Sequence, residues 1–245
     1  MRFIDSHMHL DPPEDISGVA RSVSSEAVLV ACGVDRRTSE GAVAASAAYP
    51  GTVYPFVGLH PSEAEKDKDL SWIAPMLELA KGLGEIGLDP SYSPTGEGSA
   101  QLNAFRFQLQ AAEAARVPVQ VHSRGAEAQV MEVLGSFRTG PLLMHWLESE
   151  DVLPAVVRRG YFVSFSPALL YSKKLQRLAR RCDPAFTLVE SDSPVAYAPL
   201  GGVHGPALVP SVAFGLAEIW GISPVEAISV TSANALRYLG ADSKG

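Results

Sequence analysis

The chain has 245 residues, of which 47% are hydrophobic and 19% charged, a mixture typical of globular proteins that excludes an intrinsically disordered chain. Its formal net charge of −7 excludes a long-range positive field that gathers polyanions, so any nucleic-acid role must rest on local cations or a bound metal. The length suits one large domain, which we predict over residues 1–245, as in single-domain α/β barrels of this size.

Short apolar runs recur along the chain, and most are apolar nearly throughout instead of alternating with polar residues. This pattern is typical of parallel strands that are covered on both faces. Eight strands are predicted, at residues 3–4, 27–32, 53–59, 83–87, 117–121, 141–144, 161–165 and 186–189. Helical patterns are found at residues 62–80, 99–115, 127–134, 152–159, 168–181, 210–220 and 224–239.

Strand–helix alternation repeated over this length predicts a single (β/α)8 TIM-type barrel. The alternative is an open, doubly wound sheet. We favour the barrel because no glycine-rich dinucleotide turn or P-loop follows the first strand.

Cysteine usage and the N-terminus bear on the compartment. Cys32 and Cys182 are far apart and lack CxxC spacing, which predicts buried, reduced thiols as in cytosolic proteins. The N-terminus leads into a strand without the features of a signal peptide, and no apolar run approaches the roughly 18 residues of a membrane span. We therefore expect a cytoplasmic protein without a membrane partner.

Ionisable residues occur where the predicted strands end, and in an α/β barrel these ends converge on the catalytic face. His7 and His9 are one residue apart, so a strand directs both to the same side. Glu85 lies inside an apolar run, where an unpaired carboxylate is costly. Each residue alone has a structural alternative, but their convergence predicts metal ligands. The six predicted ligands are His7, His9, Glu85, His122, His145 and Asp192.

Four histidines and two carboxylates exceed the ligand set of one tetrahedral zinc. Two divalent ions (zinc, magnesium or manganese) about 3.5–4 Å apart, bridged by a carboxylate and a water, account for the set. The bridged water would become a hydroxide nucleophile, and Asp192 would orient it and pass its proton to the leaving group. Glu190 is expected at a different depth, supporting the site without binding metal. The chemistry predicted is metal-assisted hydrolysis.

The same residues, in the same order, resemble the TatD-type metal-dependent hydrolases, which are amidohydrolase-like barrels and include deoxyribonucleases. The similar segments are His7–His9, Gly58–Pro61, Gly84–Asp89, Pro118–Arg124, His145, Glu190–Pro194 and Asn234–Arg237. The resemblance implies a dinuclear site in which Glu85 bridges the metals. In it, His7, His9 and Asp192 would bind one metal, and His122 and His145 the other. DNA or an oligonucleotide is the implied substrate.

Four residues are predicted to contact substrate, each with a structural alternative. His60 would also act in catalysis by stabilising a leaving oxygen, or it packs at a helix entry. Arg124 would hold a phosphate or carboxylate as a planar fork, or form a rim ion pair. Trp146 would stack a base or close the barrel rim. His204, in a glycine-rich loop, would contact substrate or remain solvated.

Two departures from the family pattern bear on the substrate. The loop at residues 198–206 carries no lysine or arginine, and Glu148 near the mouth would repel a phosphate backbone. The first alternative is therefore an amidase or lactonase that acts on a small carboxylated ester or amide. The second is a non-catalytic metal-binding protein. The sequence leaves the oligomeric state open.

Overall fold

The computed structural model describes residues 2–10 and 27–241. Within these ranges, eight parallel strands form one sheet in chain order. They are β1 Phe3–Met8, β2 Ala27–Cys32, β3 Val53–Val57, β4 Gly82–Gly87, β5 Val119–His122, β6 Leu142–Met144, β7 Phe162–Phe165 and β8 Thr187–Val189.

The end of β8 returns to β1, so the sheet curls into a barrel. The Asp192 N–H donates to the His7 carbonyl oxygen at 3.0 Å, and the His9 N–H donates to the Ser193 carbonyl oxygen at 2.7 Å. The predicted (β/α)8 architecture is confirmed, and each strand overlaps the run that predicts it.

Eight α-helices occur in the described residues. They are α1 Arg36–Ala48, α2 Ile73–Leu77, α3 Ala100–Ala115, α4 Glu127–Val133, α5 Leu153–Arg158, α6 Lys173–Ala179, α7 Val209–Trp220 and α8 Pro224–Tyr238. The predicted segments for α3, α4, α5, α7 and α8 agree with these bounds to within one residue at each end. The helix predicted over residues 168–181 is shorter in the structure. It begins only after Ser172, whose side chain caps the helix by accepting the Leu175 N–H.

Helix α1 has no predicted counterpart, because its inner face carries small or polar side chains. Its buried residues are Thr38, Ser39, Ala42 and Ala45. The local signal is instead a capping box, in which the Asp35 carboxylate accepts the Thr38 N–H at 2.8 Å and Thr38 Oγ1 accepts the Asp35 N–H at 3.0 Å.

The helix predicted over residues 62–80 is wrong for most of its length. The structure has a 3-10 turn at Pro61–Glu63 and then only the short α2. Between them, the carboxylates of Asp67 and Asp69 accept the N–H groups of Asp69 and Ser71 at 3.1 and 3.0 Å. Such local side-chain bonds compete with helical backbone bonds.

Helix α8 closes the N-terminal end of the barrel. Tyr238 is fully buried, and its hydroxyl donates to the Val119 carbonyl oxygen at 3.0 Å. Asn234 Nδ2 donates to the Thr187 carbonyl oxygen at 2.8 Å, where β8 begins. Apolar side chains from the strands, including Phe56 and Leu143, pack with Tyr238. The opposite end, where the strands terminate, is left for polar residues.

Cys32 and Cys182 are free and buried, as predicted. In the described part of the chain, no single helix is long and apolar enough to cross a membrane, although the bent pair Pro206–Trp220 and Pro224–Tyr238 meets the length and composition criteria when taken together.

Candidate metal centre

Glu85 lies at the centre of the cluster at the C-terminal mouth of the barrel. It is 2% exposed, and one ring nitrogen from each of five histidines lies within 3.7 Å of its carboxylate oxygens. These distances are 3.6 Å for His7, 3.2 Å for His9, 3.7 Å for His60, 2.7 Å for His122 and 3.2 Å for His145. A buried carboxylate is stable only with such charged or hydrogen-bonded partners.

A close approach of two strands brings Glu85 beside His122. Gly87 has φ +148°, and a Cβ at this position would lie 1.9 Å from the His122 carbonyl oxygen. Only glycine therefore allows β4 to pass β5 at this distance.

The donor atoms form three overlapping groups, each within 4.8 Å. The groups are His7, His9 and Asp192; His7, Glu85 and His145; and His60, Glu85 and His122. The first matches the set that the family resemblance implies for one metal. His122 and His145 fall in different groups that share Glu85. All six predicted ligands are thus brought together around one carboxylate.

Four of the imidazoles are held from behind by an oxygen acceptor. The pairs are His7 Nδ1 with Gln120 Oε1 at 2.5 Å, His9 Nδ1 with the Cys32 carbonyl at 3.0 Å, His122 Nε2 with Asp89 Oδ2 at 2.8 Å, and His145 Nδ1 with Glu190 Oε1 at 3.1 Å. Each acceptor keeps a proton on the outer nitrogen and directs the other nitrogen towards Glu85. Metal-binding histidines are typically held in this way, so the donor set fits a divalent cation.

Unlike the other four histidines of the cluster, His60 directs a protonated ring nitrogen towards Glu85. Its Nδ1 accepts the Ser62 N–H at 3.2 Å, so in the neutral ring the proton is on Nε2, which faces Glu85. Burial lowers the pKa of His60 to about 4. The ring is therefore neutral at pH 7 and presents an N–H donor to the cavity.

Opposite charges stabilise the cluster in the absence of cations. Burial raises the pKa of Glu85, but the surrounding imidazoles outweigh it and hold that pKa well below its usual value. Burial lowers the pKa of His145, but Glu190 and Glu85 outweigh it and raise that pKa well above its usual value. Cations that bind here would displace protons from the imidazoles.

Asp89 and Gln120 have no predicted role, although both are buried in contact with the cluster. Gln120 Nε2 donates to the Ser6 carbonyl oxygen at 2.6 Å, so both ends of its amide are bonded. In the sequence, the position of Gln120 indicates a buried, hydrogen-bonded role, since a polar residue inside an apolar strand is costly unless it is hydrogen-bonded. Asp89 lies in the segment that contains Glu85. Glu190 contacts His145 from behind, which agrees with the supporting position expected for it.

A cavity of about 480 Å³ opens above the cluster and includes three of the four predicted substrate contacts, His60, Arg124 and Trp146. The Trp146 ring lies edge-on to His145 with 6.4 Å between the ring centroids. His204 is exposed and is not among the described residues that line the cavity. Its contact with substrate stays a prediction.

Tyr92 also lines the cavity and has no predicted role. It is 50% exposed, and its ring lies 5.4 Å from the Arg124 guanidinium carbon and 5.5 Å from the His60 ring. An exposed aromatic face beside the cluster is available to a ligand.

Comparisons with known proteins agree with this geometry. The family model described as TatD related DNase matches residues 4–240. The chain is 31% identical to human deoxyribonuclease TATDN3, covering 96% of this chain and 93% of the relative. It is 27% identical to the uncharacterized metal-dependent hydrolase YabD of Bacillus subtilis, covering 95% and 97%. The structure of YJJV, a TatD homolog from Escherichia coli K12, superposes with a TM-score of 0.82 at 23% identity and covers 97% of both chains.

Proposed function

The chain belongs to the family of TatD-related DNases, and from that premise we propose that it is a divalent-metal-dependent phosphodiesterase acting on DNA or oligonucleotides. The observation that supports this most is the set of imidazoles directed at the buried Glu85 within an open cavity. We assign the activity to one domain spanning residues 1–245.

Two cations are proposed, and Glu85 would be a ligand of both. His7, His9 and Asp192 would hold one ion, and His122 and His145 the other. Four imidazoles with two carboxylates suit zinc better than magnesium, which prefers oxygen ligands and retains its waters. When bound, such ions supply an activated water and stabilise negative charge on the phosphate.

The protein residues supply orientation and proton transfer. Asp192 is 7% exposed and lines the cavity, so its carboxylate can orient the attacking water and accept its proton. The neutral His60 can donate its Nε2 proton in a hydrogen bond to the leaving oxygen. Arg124 would bind a phosphate oxygen, and Trp146 would pack against a base.

The test is reconstitution of metal-stripped protein with Zn²⁺, Mn²⁺ or Mg²⁺, followed by parallel assays of a labelled single-stranded oligonucleotide and of small esters, amides and lactones. We expect cleavage of the oligonucleotide. Cleavage of the small substrates alone would replace the nuclease by the amidase or lactonase alternative.

A substitution pair tests the assignment of Asp192. Asp192→Asn should retain the fold, measured by circular dichroism, and lose at least about a hundredfold in kcat, because general base catalysis commonly contributes that much. Asp151→Asn, an exposed matched control, should behave as wild type. Equal turnover of the two variants would remove Asp192 from the mechanism.

A further inference from the structure

The rim of the cavity carries little free positive charge. Arg124 is its one lysine or arginine among the described residues. Arg124 Nε and Nη2 lie 2.9 and 2.8 Å from Asp89 Oδ2, and Nη2 donates to Ser91 Oγ at 2.8 Å. The charge of Arg124 is therefore already balanced by a buried carboxylate.

Two carboxylates lie on the same rim. The side chain of Glu127, at the start of α4, makes no hydrogen bond or ion pair with another described residue. Glu148 pairs with Lys174 at 2.9 Å, and because both side chains are nearly half-exposed, water screens much of that attraction. Beyond the ligand cluster, the described residues at the mouth therefore carry a net negative charge.

The described segments around this cavity offer few cations. Residues 198–206, after β8, contain no lysine or arginine. A single arginine, Arg37, lines a smaller adjoining pocket that shares His9 and Val34 with this cavity. Long nucleic acids gain affinity only where several cations replace the counterions of successive phosphates. Among the described residues, attraction for phosphate is thus concentrated on the ligand cluster and the adjacent Arg124.

The size of the cavity agrees with a small occupant. Its volume of about 480 Å³ lies in the range of pockets that enclose one drug-sized molecule, about 300–1,000 Å³. Tyr92 and Trp146 both line it and offer aromatic faces to a base. One terminal nucleotide and its phosphodiester fit this description.

We propose that the site selects short substrates, binding one terminal nucleotide with its scissile phosphodiester, while Glu127 and Glu148 disfavour phosphates further along the strand. The preferred class is dinucleotides and short single-stranded oligonucleotides, and long DNA is the poorer substrate. This selectivity rests on the proposed phosphodiesterase function.

The first test measures kcat/KM of the metal-reconstituted enzyme for a dinucleotide, a tetranucleotide, an octanucleotide and a twenty-nucleotide single strand. We expect kcat/KM to be lower for the twenty-nucleotide strand than for the dinucleotide and the tetranucleotide, and equal values would overturn the selectivity. For the longest strand, the slope of log kcat/KM against log salt should be about −1 or shallower. A track contacting several phosphates would instead give roughly −0.7 for each phosphate contacted.

The second test changes the rim charge. Glu127→Gln with Glu148→Gln should raise the ratio of kcat/KM for the longest strand to that for the dinucleotide by about fivefold, because rim charges act mainly through electrostatic association. Glu78→Gln with Glu218→Gln is the matched control, since it changes the net charge equally at exposed positions that do not line the cavity. The control should leave the ratio unchanged.

A binding measurement provides a readout without turnover. Fluorescence anisotropy of the labelled twenty-nucleotide strand with metal-free protein should show tighter binding by the rim variant than by wild type or control. Efficiency that rises with strand length, a salt slope of several units, or equal effects of the two variant pairs would overturn the selectivity and leave the proposed function intact. Failure of the reconstituted enzyme to cleave any oligonucleotide would overturn the proposed function and the selectivity together.

Discussion

The two ends of the barrel bury polar groups in different ways. At the N-terminal end, the Tyr238 hydroxyl and the Asn234 amide are neutral and donate to backbone carbonyl oxygens. At the C-terminal end, Glu85 is buried among imidazoles, and opposite charges shift the pKa values of these groups away from their usual values.

The difference separates stability from chemistry along one set of strands. A neutral group with its hydrogen bonds made costs little to bury, whereas a buried charge needs a counter-charge or a cation. Neutral, hydrogen-bonded groups such as those at the N-terminal end are sufficient to stabilise the fold. Binding a metal requires charged groups such as those at the C-terminal end. Substitutions at the N-terminal end should therefore lower the free energy of unfolding, whereas substitutions at the C-terminal end should lower metal content and kcat.

The largest expected effect comes from removing the central carboxylate. Glu85→Ala should lower kcat by at least about 10³-fold, because it removes a group proposed to hold both cations on which the reaction depends. Elemental analysis should show less metal per protein than in wild type. Glu218→Ala, an exposed substitution on α7, is the control. Unchanged metal stoichiometry in Glu85→Ala would contradict the assignment.

Much of the contrast between the two ends could be predicted from the sequence. Continuous apolar runs mark the strands, and ionisable residues at their ends mark the mouth, so the barrel and the meeting of six residues from His7 to Asp192 were both predictable. The resemblance to TatD-type hydrolases is confirmed by the family match over residues 4–240. The assignment of individual ligands to individual metals stays a prediction.

The features that were not predicted depend on depth and register, which a single sequence does not encode locally. The pairing of β4 with β5 is irregular between Leu83 and Ile86, and this register determines that Glu85 and Asp89 both reach His122. The contact of Gln120 with His7 joins residues from strands far apart in the chain. Helix α1 was missed because its buried face carries no large apolar residue.

The next effect tests the closed end. Tyr238→Ala should lower the free energy of unfolding by about 3–5 kcal/mol, the usual cost of removing a large buried aromatic side chain. Urea denaturation measures it, and the folded fraction should retain the wild-type metal content. Tyr238→Phe should cost about 1–3 kcal/mol, because the Val119 carbonyl loses its donor.

Tyr171→Phe is the control for this pair, because Tyr171 is 41% exposed. Loss of metal from folded Tyr238→Phe would show that the two ends are coupled and would contradict their separation.

A smaller, pH-dependent effect is expected at Asp5, beneath the cluster. Burial raises the pKa of Asp5 to about 7, although hydrogen bonds such as that from the Ser191 N–H at 2.9 Å oppose this rise. The folded state therefore binds this proton more tightly than the unfolded chain does. The resulting stabilisation is complete below pH about 4 and is lost as the pH rises through about 7.

Asp5→Asn removes this linkage. In metal-free protein, the stability of Asp5→Asn relative to wild type should rise by at most about 1.4 kcal/mol per pH unit across that window. Denaturant titrations at several pH values measure it, with the exposed Asp151→Asn as control. A difference that stays constant with pH would show that Asp5 is ionised in the folded protein.

The smallest effect distinguishes a hydrogen-bond donor from a ligand within the mouth. His60→Ala should lower kcat by roughly 10–100-fold, because the Nε2–H would stabilise charge on the leaving oxygen. Metal content should not change, since the His60 proton faces Glu85 where a ligand would present a lone pair. His60→Gln, which can also donate, should recover part of the lost activity.

The pH profile tests the same point, because the pKa of His60 near 4 keeps the ring neutral throughout the range from about 6 to 8. Its removal should therefore lower kcat equally across that range. Loss of one equivalent of metal from His60→Ala would instead make His60 a ligand, as its grouping with Glu85 and His122 allows, and the mouth would then hold cations through five imidazoles.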